Sequence, residues 1–417
     1  MVDFLIVNIC GGIKMFRKLK VFNLCPLFII FIFFVHNNVL GSTIKVPEDI
    51  PSIQKAIDVA KDGDVILVAP GTYKVKLKFK GEKKTIQLGS LFLITGDKKY
   101  IEQTVLEAKW VRSKWLRFGR KYVIEVPSDC SPYSKIVGFT VKNGNDGISC
   151  KGKVEILNNI FINCKDGVDY EDKSGGICSS NIFKENRDDG IDLDHSVDVI
   201  IENNIIQDNQ DDGIEIRLHP YEIPKKPKLN IVIRNNIISR NGEDGIQFID
   251  YSTDSRRIFK IERNLFYNNA MAAIGCMGNT NTIENYEAFM LPERVYVINN
   301  TFVDNNYGLL GGKNMVVLNN IFVGTKKVAM KNISGSSVAS YNNFWLNGSN
   351  FENSNIDKEH TFFKNPLLTS EFKLKDTSPC IDLGTSIFQF KDGVIRIPAS
   401  SYIGSKPDLG AFESAIK

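Results

Sequence analysis

Two acidic motifs, DDGID at residues 188–192 and DDGIE at residues 211–215, lie 23 residues apart. Carboxylates held close together raise one another's pKa or bind a cation. A set of acidic oxygens without a histidine–cysteine cluster favours Ca²⁺ over a transition metal. Together with an aspartate from the preceding turn, the predicted calcium ligands are Asp166, Asp188, Asp189, Asp192, Asp211, Asp212 and Glu215. The alternative is that each Asp-Gly pair simply forms a turn.

Three side chains that can bind an anion or move a proton lie beside these acids. Arg217 follows Glu215 by two residues, and His195 and His219 are two of the four histidines in the chain. Because strand residues alternate between faces, Arg217 should share the outward face with Glu215. We predict that Arg217 is a base or holds a substrate carboxylate, and that both histidines are catalytic. A structural arginine and surface histidines are the alternatives.

Three insertions follow the acidic strands, at residues 219–230, 250–257 and 277–294. Loops that leave one edge of a scaffold often form the walls of a binding groove. Cations and aromatic rings in such a groove suit an anionic polysaccharide. The predicted substrate-binding residues are Tyr221, Lys225, Lys226, Arg256 and Arg257, with Tyr251 as a further loop aromatic. The alternative is a set of solvated basic loops.

The elements that must position these residues come from a repeat. An asparagine followed by two apolar residues recurs every 20 to 36 residues, at positions 159, 181, 204, 236, 264, 300, 320 and 343. Such periods indicate stacked repeats, and each unit has alternating strand patterns with no room for a crossover helix. The apolar residues are Ile, Val and Phe, which favour strands over leucine-rich repeats. We therefore predict an all-β fold, a right-handed parallel β-helix.

Stacking such coils brings equivalent residues about 4.8 Å apart. Inward asparagines would form a hydrogen-bonded ladder, predicted for Asn159, Asn204, Asn236, Asn300, Asn320 and Asn343. Strand alternation predicts one outward column of Asp169, Asp192, Glu215 and Gln247 and another of Glu171, Asp194, Arg217 and Ile249. A column of turn acids beside them would hold Asp166, Asp188/Asp189, Asp211/Asp212 and Glu243/Asp244, of which we interpret Asp244 as a turn residue.

The ends of the chain predict one domain behind a targeting segment. Basic residues, an apolar run and a small residue at Gly41 indicate a signal peptide over residues 1–41, with Met15 a plausible true start; the alternative is a membrane anchor. A single domain is expected over 42–417, with core repeats at about 136–345. An amphipathic helix at 51–60 would cap one end, and a closing segment at 365–413 the other.

Composition limits the possible partners. The net charge of +4 over 417 residues is too mild to argue for nucleic acid. No second long apolar run follows the first, so we expect a mature protein without a membrane span, secreted, periplasmic or on the cell surface, and monomeric. Six cysteines after Gly41 form no CxxC motif, and we interpret most of them as buried apolar residues.

Several segments resemble one superfamily. IPSIQKAIDVAKDGDVILVAPGTY, IVGFTVKNG, the repeated NNI and DGI, and the ending SPCIDLG with DLGAFE are similar to pectate-lyase-type parallel β-helices over about residues 44–413. DDGIDL at 188–193 resembles the calcium-binding DDGWDL of family-nine pectate lyases, which implies ligands at Asp188, Asp189 and Asp192 with Asp166. The lysine base of that family is matched by Glu215, or by Gln247 one coil later.

The resulting hypothesis is a calcium-dependent enzyme acting on an acidic polysaccharide, most simply by β-elimination of a uronan. A uronan C5-epimerase would share the abstraction of the C5 proton. An inverting hydrolase would use paired acids such as Asp192 and Asp212. A non-catalytic carbohydrate-binding or cell-surface β-helix is the third alternative, because superfamily members of one fold differ in activity.

Overall fold

The computed structural model describes residues 41–109, 122–220, 229–251, 257–279 and 291–414, and the backbone of strands Phe4–Ile9 and Gly12–Arg17. By internal contacts the chain forms a unit over Met1–Val39 and a second unit over Leu40–Lys417. In the first unit the two strands pair as an antiparallel hairpin. The predicted signal peptide falls mostly outside the described residues and stays a prediction.

The second unit is built from three long parallel sheets, whose strands follow one another around each coil. Sheet A contains Thr43–Val46, Val65–Val68, Gln87–Ser90, Lys135–Val137, Lys153–Leu157, Gly175–Ser179, Asp198–Glu202, Leu229–Arg234, Arg257–Glu262, Arg294–Ile298, Met315–Leu318 and Val338–Ser340. Sheet B contains Gly71–Val75, Thr104–Ala108, Thr140–Lys142, Ile160–Ile162, Ile182–Lys184, Ile205–Gln207, Ile237–Ser239, Leu265–Tyr267, Thr301–Val303, Ile321–Val323, Asn342–Trp345 and Thr361–Phe362. Sheet C contains Leu77–Lys78, Ile124–Val126, Asp146–Cys150, Asp166–Tyr170, Ile191–Asp194, Ile214–Arg217, Ile246–Asp250, Ala272–Gly278, Tyr307–Gly312, Val328–Ile333 and Ser349–Glu352.

This architecture confirms the predicted right-handed parallel β-helix. Its coils run from Thr43 to Phe362, beyond the repeats recognised in the sequence, because the first strands pair in the same way without the asparagine frame. The core is a set of columns in which like side chains stack on successive coils. The rings of Phe302 and Phe322, for example, lie 4.5 Å apart and nearly parallel. Cys130, Cys150, Cys164, Cys178, Cys276 and Cys380 are buried free thiols.

In the asparagine pairs of the repeat, the first residue forms a turn and the second forms hydrogen bonds between coils. The first residue turns the chain in the left-handed region, as Asn203 does at φ 57° and Asn235 at φ 54°. The second is buried, and its amide links neighbouring coils, as when Asn204 Nδ2 donates to Asn236 Oδ1 at 3.0 Å. The complete ladder is Asn159, Asn181, Asn204, Asn236, Asn264, Asn300, Asn320 and Asn342.

Two features of these ladders differ from the sequence expectation. Asn342, not Asn343, closes the ladder, because Tyr341 takes the left-handed position at φ 53° and shifts the frame by one residue. Asn343 instead accepts from Lys364 N and donates to Lys364 O. A second buried ladder follows sheet B and was not predicted; its members are Asn186, Asn209, Asn241, Asn269 and Asn305.

Short elements close the two ends. Helix Ile53–Val59 begins after Ser52, whose side chain accepts from Lys55 N, and it buries Ile53, Ala56 and Ile57 over the first coil. Further helices are Phe92–Thr95 and Lys99–Gln103, with a 3₁₀ helix at Ala399–Ser401 and an antiparallel hairpin of Ile387–Phe390 and Gly393–Arg396. None of the helices in the described ranges is long and apolar enough to cross a membrane.

The C-terminal segment runs back along the outside of the coils. Asn299 Nδ2 donates to Asp408 O at 2.8 Å, and Ala411 N donates to Thr301 Oγ1 at 2.8 Å. Cys380 and Leu409 pack on Ile321, so this segment covers the outer face of sheet B over the later coils. The acidic coils on sheet C are therefore not covered by these contacts.

Candidate metal and active site

The acidic motifs occupy the outer face of sheet C, in the predicted register. Asp169 pairs with Asp192, Asp192 with Glu215, and Glu215 with Gln247. In the next column Asp194 pairs with Arg217 and Arg217 with Ile249. The inward neighbours are Leu193 and Ile216, both buried in the core. Core packing thus forces these polar residues outward and into register.

The predicted ligands do not form a single cluster. Among the described residues, ligand oxygens lie within 4.8 Å of one another in these groups: Asp166, Asp188 and Asp189; Asp189, Asp192 and Glu215; Asp169, Asp192 and Asp194; Asp211, Asp212 and Glu243. Asp169, Asp194 and Glu243 were not among the predicted ligands. Strand alternation and the turn column had placed all three beside the predicted acids, which is the signal that would have added them.

Asp192, like Asp189, belongs to two of these groups, and one of its carboxylate oxygens lacks a hydrogen-bond donor. Its Oδ1 is shielded from solvent and accepts no hydrogen bond. Burial, followed by the charges of Glu215, Asp194 and Asp169, raises the pKa of Asp192 well above its ordinary value. A carboxylate oxygen that is shielded among other acids needs either a proton or a cation. The donor set around Asp192 therefore fits a hard cation with oxygen ligands such as Ca²⁺.

The second aspartate of each DDG motif has a structural task as well. Asp212 N donates to Asp189 Oδ1 at 3.0 Å, and Asp244 N donates to Asp212 Oδ1 at 2.7 Å. Asp189 N in turn donates to Asp166 Oδ1 at 3.4 Å. One carboxylate oxygen of each turn acid thus accepts a backbone hydrogen bond from the turn of the next coil. Burial raises the pKa of Asp189 and of Asp212, so their other oxygens add to the demand for positive charge.

One acid group contains a cation, Lys165, that was not among the predicted site residues. Lys165 Nζ lies 2.5 Å from Asp188 Oδ2 and 3.2 Å from Asp166 Oδ2. The lysine is half exposed, and it precedes the Asp-Gly turn of its coil directly. An ammonium in this place competes with a metal ion for Asp166 and Asp188. Arg217 competes in the same way for Glu215, but Asp192 Oδ1 has no hydrogen-bond donor, so the group around Asp192 is the better candidate for calcium.

Arg217 belongs to the second outward column, and its side chain reaches Glu215 of the first. Its Nε donates to Glu215 Oε1 at 2.6 Å, and it lies 3.8 Å from Asp194 Oδ1. Burial raises the pKa of Glu215 to about 7, although the arginine opposes this shift. Burial lowers the pKa of Arg217, but Glu215 and Asp192 outweigh it and raise the value. Arg217 therefore stays protonated, which favours holding an anion over acting as a base.

The two predicted catalytic histidines stack on each other at the edge of the acid cluster. The rings of His195 and His219 lie 4.0 Å apart at 20°, and His219 also packs on Tyr251 at 4.3 Å. His219 Nε2 lies 3.2 Å from the Tyr251 hydroxyl and 3.8 Å from Asp194 Oδ1. Burial and then the neighbouring His195 lower the pKa of His219, so its imidazole is neutral near pH 7.

Arg257 requires a correction. It was predicted to bind substrate, yet it is 2% exposed. Its guanidinium donates to His195 O, at 3.1 Å from Nε, and to His219 O, at 2.8 Å from Nη2. Arg257 therefore ties the backbone of the two histidine-bearing coils together. Tyr221, Lys225, Lys226 and Arg256 lie outside the described residues, and their substrate contacts stay predictions.

Comparison with known proteins supports the fold. A family model described as "Periplasmic copper-binding protein (NosD)" matches residues 126–285, which include the acid cluster. No curated protein matches the chain. Among solved structures, pectate lyase Pel9A is 19% identical, with 87% of this chain and 90% of that chain covered and a TM-score of 0.59. The chain has the pectate-lyase-type β-helix fold.

A second solved structure shares this architecture. The catalytic unit of the GH87 α-1,3-glucanase from Streptomyces thermodiastaticus strain HF3-3 is 14% identical, with a TM-score of 0.50. The match covers 75% of this chain and 64% of the glucanase chain. At these identities the likeness concerns the fold, and the activity has to be argued from the site.

Proposed function

We propose that this protein is an exported, calcium-dependent enzyme that acts on an acidic polysaccharide by β-elimination of a uronan. The observation that carries the proposal is the partly buried Asp192 carboxylate, which lies among other acids and whose solvent-shielded Oδ1 has no hydrogen-bond donor. Arg217 and His219 lie 3.8 Å from Asp194 of the same cluster, and Tyr251 contacts His219. The fold shared with pectate lyase Pel9A adds support.

Calcium would be held around Asp192. Asp189 and Glu215 supply oxygens from one group, and Asp169 and Asp194 supply them from the other. Bound there, calcium would neutralise the carboxylate of a uronate, which makes the C5 proton more acidic. The name of the matched family mentions copper, but carboxylate oxygens suit calcium better than copper, which prefers imidazole and sulfur ligands. Copper is therefore a control metal in the experiment below.

The remaining steps are assigned to side chains of this chain. Arg217 would hold the substrate carboxylate, because it stays protonated and is partly exposed at the surface of the cluster. The neutral imidazole of His219 would take the C5 proton. The electron pair of that C–H bond forms the C4–C5 double bond, and the C4–O bond breaks. Tyr251, whose pKa is raised by burial, would give its proton to the leaving oxygen.

A binding protein without catalysis is the second candidate. In family-nine pectate lyases, which this site resembles, a lysine is the base, whereas this chain has Glu215 at the matching position, hydrogen-bonded to Arg217. An inverting hydrolase lacks comparable support, because Asp192 and Asp212 fall in different acid groups and an Asp212 oxygen accepts from Asp244 N. A C5-epimerase would use the same proton abstraction at His219 and is separated by its product.

The experiment is incubation of the mature protein with a panel of uronans, with calcium, with copper and with chelator. A lyase yields an unsaturated product that absorbs in the ultraviolet, together with new reducing ends. Both should appear with calcium and be absent with copper or chelator. An epimerase exchanges the C5 hydrogen with solvent and cleaves nothing, a hydrolase yields reducing ends without absorbance, and a binding protein yields affinity alone. Any result other than calcium-dependent absorbance contradicts the proposed reaction.

Two variants assign the residues. His219→Gln should abolish product formation while calcium affinity, measured by titration calorimetry, is retained. Asp189→Ala combined with Asp192→Ala should abolish calcium binding itself. Asp376→Asn, an exposed acid in the C-terminal segment, is the matched control and should change neither quantity. Unchanged calcium affinity in the double variant would show that the metal is bound elsewhere.

A further inference from the structure

A row of exposed lysines lies at the N-terminal end of the β-helix. Lys74, Lys76, Lys78 and Lys80, here called the lysine row, alternate with Val75, Leu77 and Phe79. Leu77 and Phe79 are buried in the core, so strand alternation turns all four lysines outward. Lys74 lies on Gly71–Val75 and Lys78 on Leu77–Lys78, the terminal strands of sheets B and C, and Lys76 and Lys80 come just after these strands.

Lys78 of the lysine row lies on the outer face of sheet C, which also carries the acid cluster, whereas Lys74 lies on the neighbouring sheet B. Lys78 pairs in register with Glu125, Glu125 with Ser149, Ser149 with Asp169 and Asp169 with Asp192. At about 4.8 Å per coil, four steps separate Lys78 from Asp192 by roughly 19 Å. A linear polymer lying along this face would contact both regions at once.

Acids offset part of the positive charge on the lysine side, since Glu107 pairs in register with Lys74 and Glu125 with Lys78. Lys78 Nζ lies 2.7 Å from Glu125 Oε1, and Lys151 Nζ lies 3.7 Å from Glu125 Oε2, so one carboxylate faces two ammonium groups. Lys76 Nζ lies over the ring of Tyr122 at 4.7 Å. An anion brought to this surface would meet excess positive charge beside an aromatic ring.

Lysines on a terminal strand also discourage pairing with another chain. That function explains their presence on Gly71–Val75 and Leu77–Lys78. It does not explain Lys151, which follows the internal strand Asp146–Cys150 and still points toward the same Glu125. The positive surface therefore extends from the end of the β-helix toward the acid cluster.

We propose that the lysine row, with Lys151, is a binding surface for a linear polyanion, and that an acidic polysaccharide lies on it while its reacting unit sits at the acid cluster. The identity of the polymer rests on the proposed function. The surface would increase affinity for long chains and leave short oligomers, which reach the acid cluster alone, unaffected.

The test replaces all four lysines of the lysine row by glutamine in the full mature chain. A matched control carries Lys326→Gln, Lys358→Gln, Lys375→Gln and Lys391→Gln, which are exposed lysines on later coils and the C-terminal segment. Both variants lose four positive charges, and melting temperatures close to wild type show that both fold. The probes are polygalacturonate and alginate, as polymers and as short oligomers, with chelator present so that calcium contributes nothing.

The lysine-row variant should bind a polymer about tenfold more weakly at low salt, since each exposed ion pair contributes modestly, and high salt should remove the difference. The control variant should bind as wild type does. Equal losses in both variants, no loss in the first, or no polymer binding by wild type would overturn the inference. Equally strong, equally lysine-dependent binding of double-stranded DNA would also overturn it, because the surface would then lack selectivity for polysaccharide.

This outcome is separable from the proposed reaction. The lysine-row variant should keep the calcium affinity of wild type, because Lys78 lies about 19 Å from Asp192. If the wild-type protein cleaves no uronan but the polymer binds through the lysine row, the reaction fails and the binding surface stands. If uronans are cleaved equally well by both variants at low polymer concentration, the binding surface fails and the reaction stands.

Discussion

The asparagine ladder and the acidic column are stacked by the same coils, yet their hydrogen bonding is opposite. Each ladder amide both donates and accepts, so Asn236 accepts from Asn204 and donates to Asn264 at 2.9 Å. A carboxylate accepts only, so Asp192 has nothing to receive from Asp169 or Glu215. The amides of the ladder satisfy one another, whereas the acidic column requires protons or a cation.

This difference shows how one architecture yields both a scaffold and a site. Stacked amides are neutral and satisfied, which makes their burial stabilising. Stacked carboxylates repel one another, which makes their burial costly until positive charge arrives. Arg217 and Lys165 supply part of that charge, and we propose that calcium supplies the rest.

The largest effect on stability is expected when a carboxylate replaces an amide in the asparagine ladder. Asn236→Asp removes the donor to Ile201 O and to Asn264 Oδ1 and adds a buried charge. We expect a loss of at least about 3 kcal/mol in the free energy of unfolding, measured with denaturant. The control Asn235→Asp makes the same change at the exposed turn residue next to it and should cost within about 0.5 kcal/mol. Similar losses of unfolding free energy in the two variants would show that the buried ladder contributes no more to stability than the exposed turn residue.

The next largest effect on stability is expected when calcium is added to the acidic column. At a free calcium concentration roughly 100-fold above Kd, the protein should gain about 2.7 kcal/mol of stability, seen as a higher melting temperature. Asp192→Asn should remove most of this gain, because it removes a carboxylate shared by two acid groups. The exposed Asp376→Asn should retain it. A gain of equal size in Asp192→Asn would place the calcium site outside this cluster.

Protonation should replace the cation when calcium is absent. The pKa of Glu215 is raised to about 7, against an ordinary value of 4.5. Because the native state then holds a proton that the unfolded chain has released, stability is full below pH 4.5 and is lost as the pH rises toward 7. The slope is at most about 1.4 kcal/mol per pH unit for this group.

This dependence is checked by thermal melting in chelator across that pH range. Glu215→Gln should flatten the profile, since it removes the titrating group. Saturating calcium should reverse the trend, because the metal prefers the deprotonated carboxylates. Melting temperatures that rise with pH in chelator would contradict the raised pKa.

The smallest effect is expected from removing Lys165, the cation already paired with the turn acids. Lys165→Gln frees Asp188 and Asp166 from their ion pair, which is half exposed and contributes at most about 0.5 kcal/mol to stability. We expect a rise in calcium affinity of a few-fold by calorimetry, because a positive charge is removed beside Asp189, which belongs both to this group and to the group around Asp192. Lys173→Gln, an exposed lysine beside Asp172, is the control and should leave affinity unchanged. A fall in affinity would indicate that Lys165 supports the site.

The register of the site could be predicted because it depends on local counting. Once Ile191 and Leu193 point inward, Asp192 must point outward, and the equal length of the coil places Glu215 above it. The same counting failed at Asn343, because Tyr341 adopts a left-handed turn that side-chain type does not indicate. Local periodicity therefore predicts the register wherever the turn residue is the expected one.

Contacts between coils are less accessible from the sequence. Arg257 was assigned to a substrate groove because it lies in a basic insertion, but it reaches back across two coils to His195 O and His219 O. Lys165 was not among the predicted site residues, because its partner Asp188 lies on the next coil. The contact between His219 and Tyr251 likewise joins residues 32 positions apart.

The sequence by itself determined the right-handed β-helix, its asparagine ladder and the outward columns, because a period-two strand and a repeated coil are properties of local pattern. The tertiary structure decided which acids converge, that Asp192 is shared between two groups, and which cations reach them. Those results depend on distances of a few ångströms between coils, and on burial, which changes the electrostatic cost of each charge. Residue order along the chain does not contain those distances.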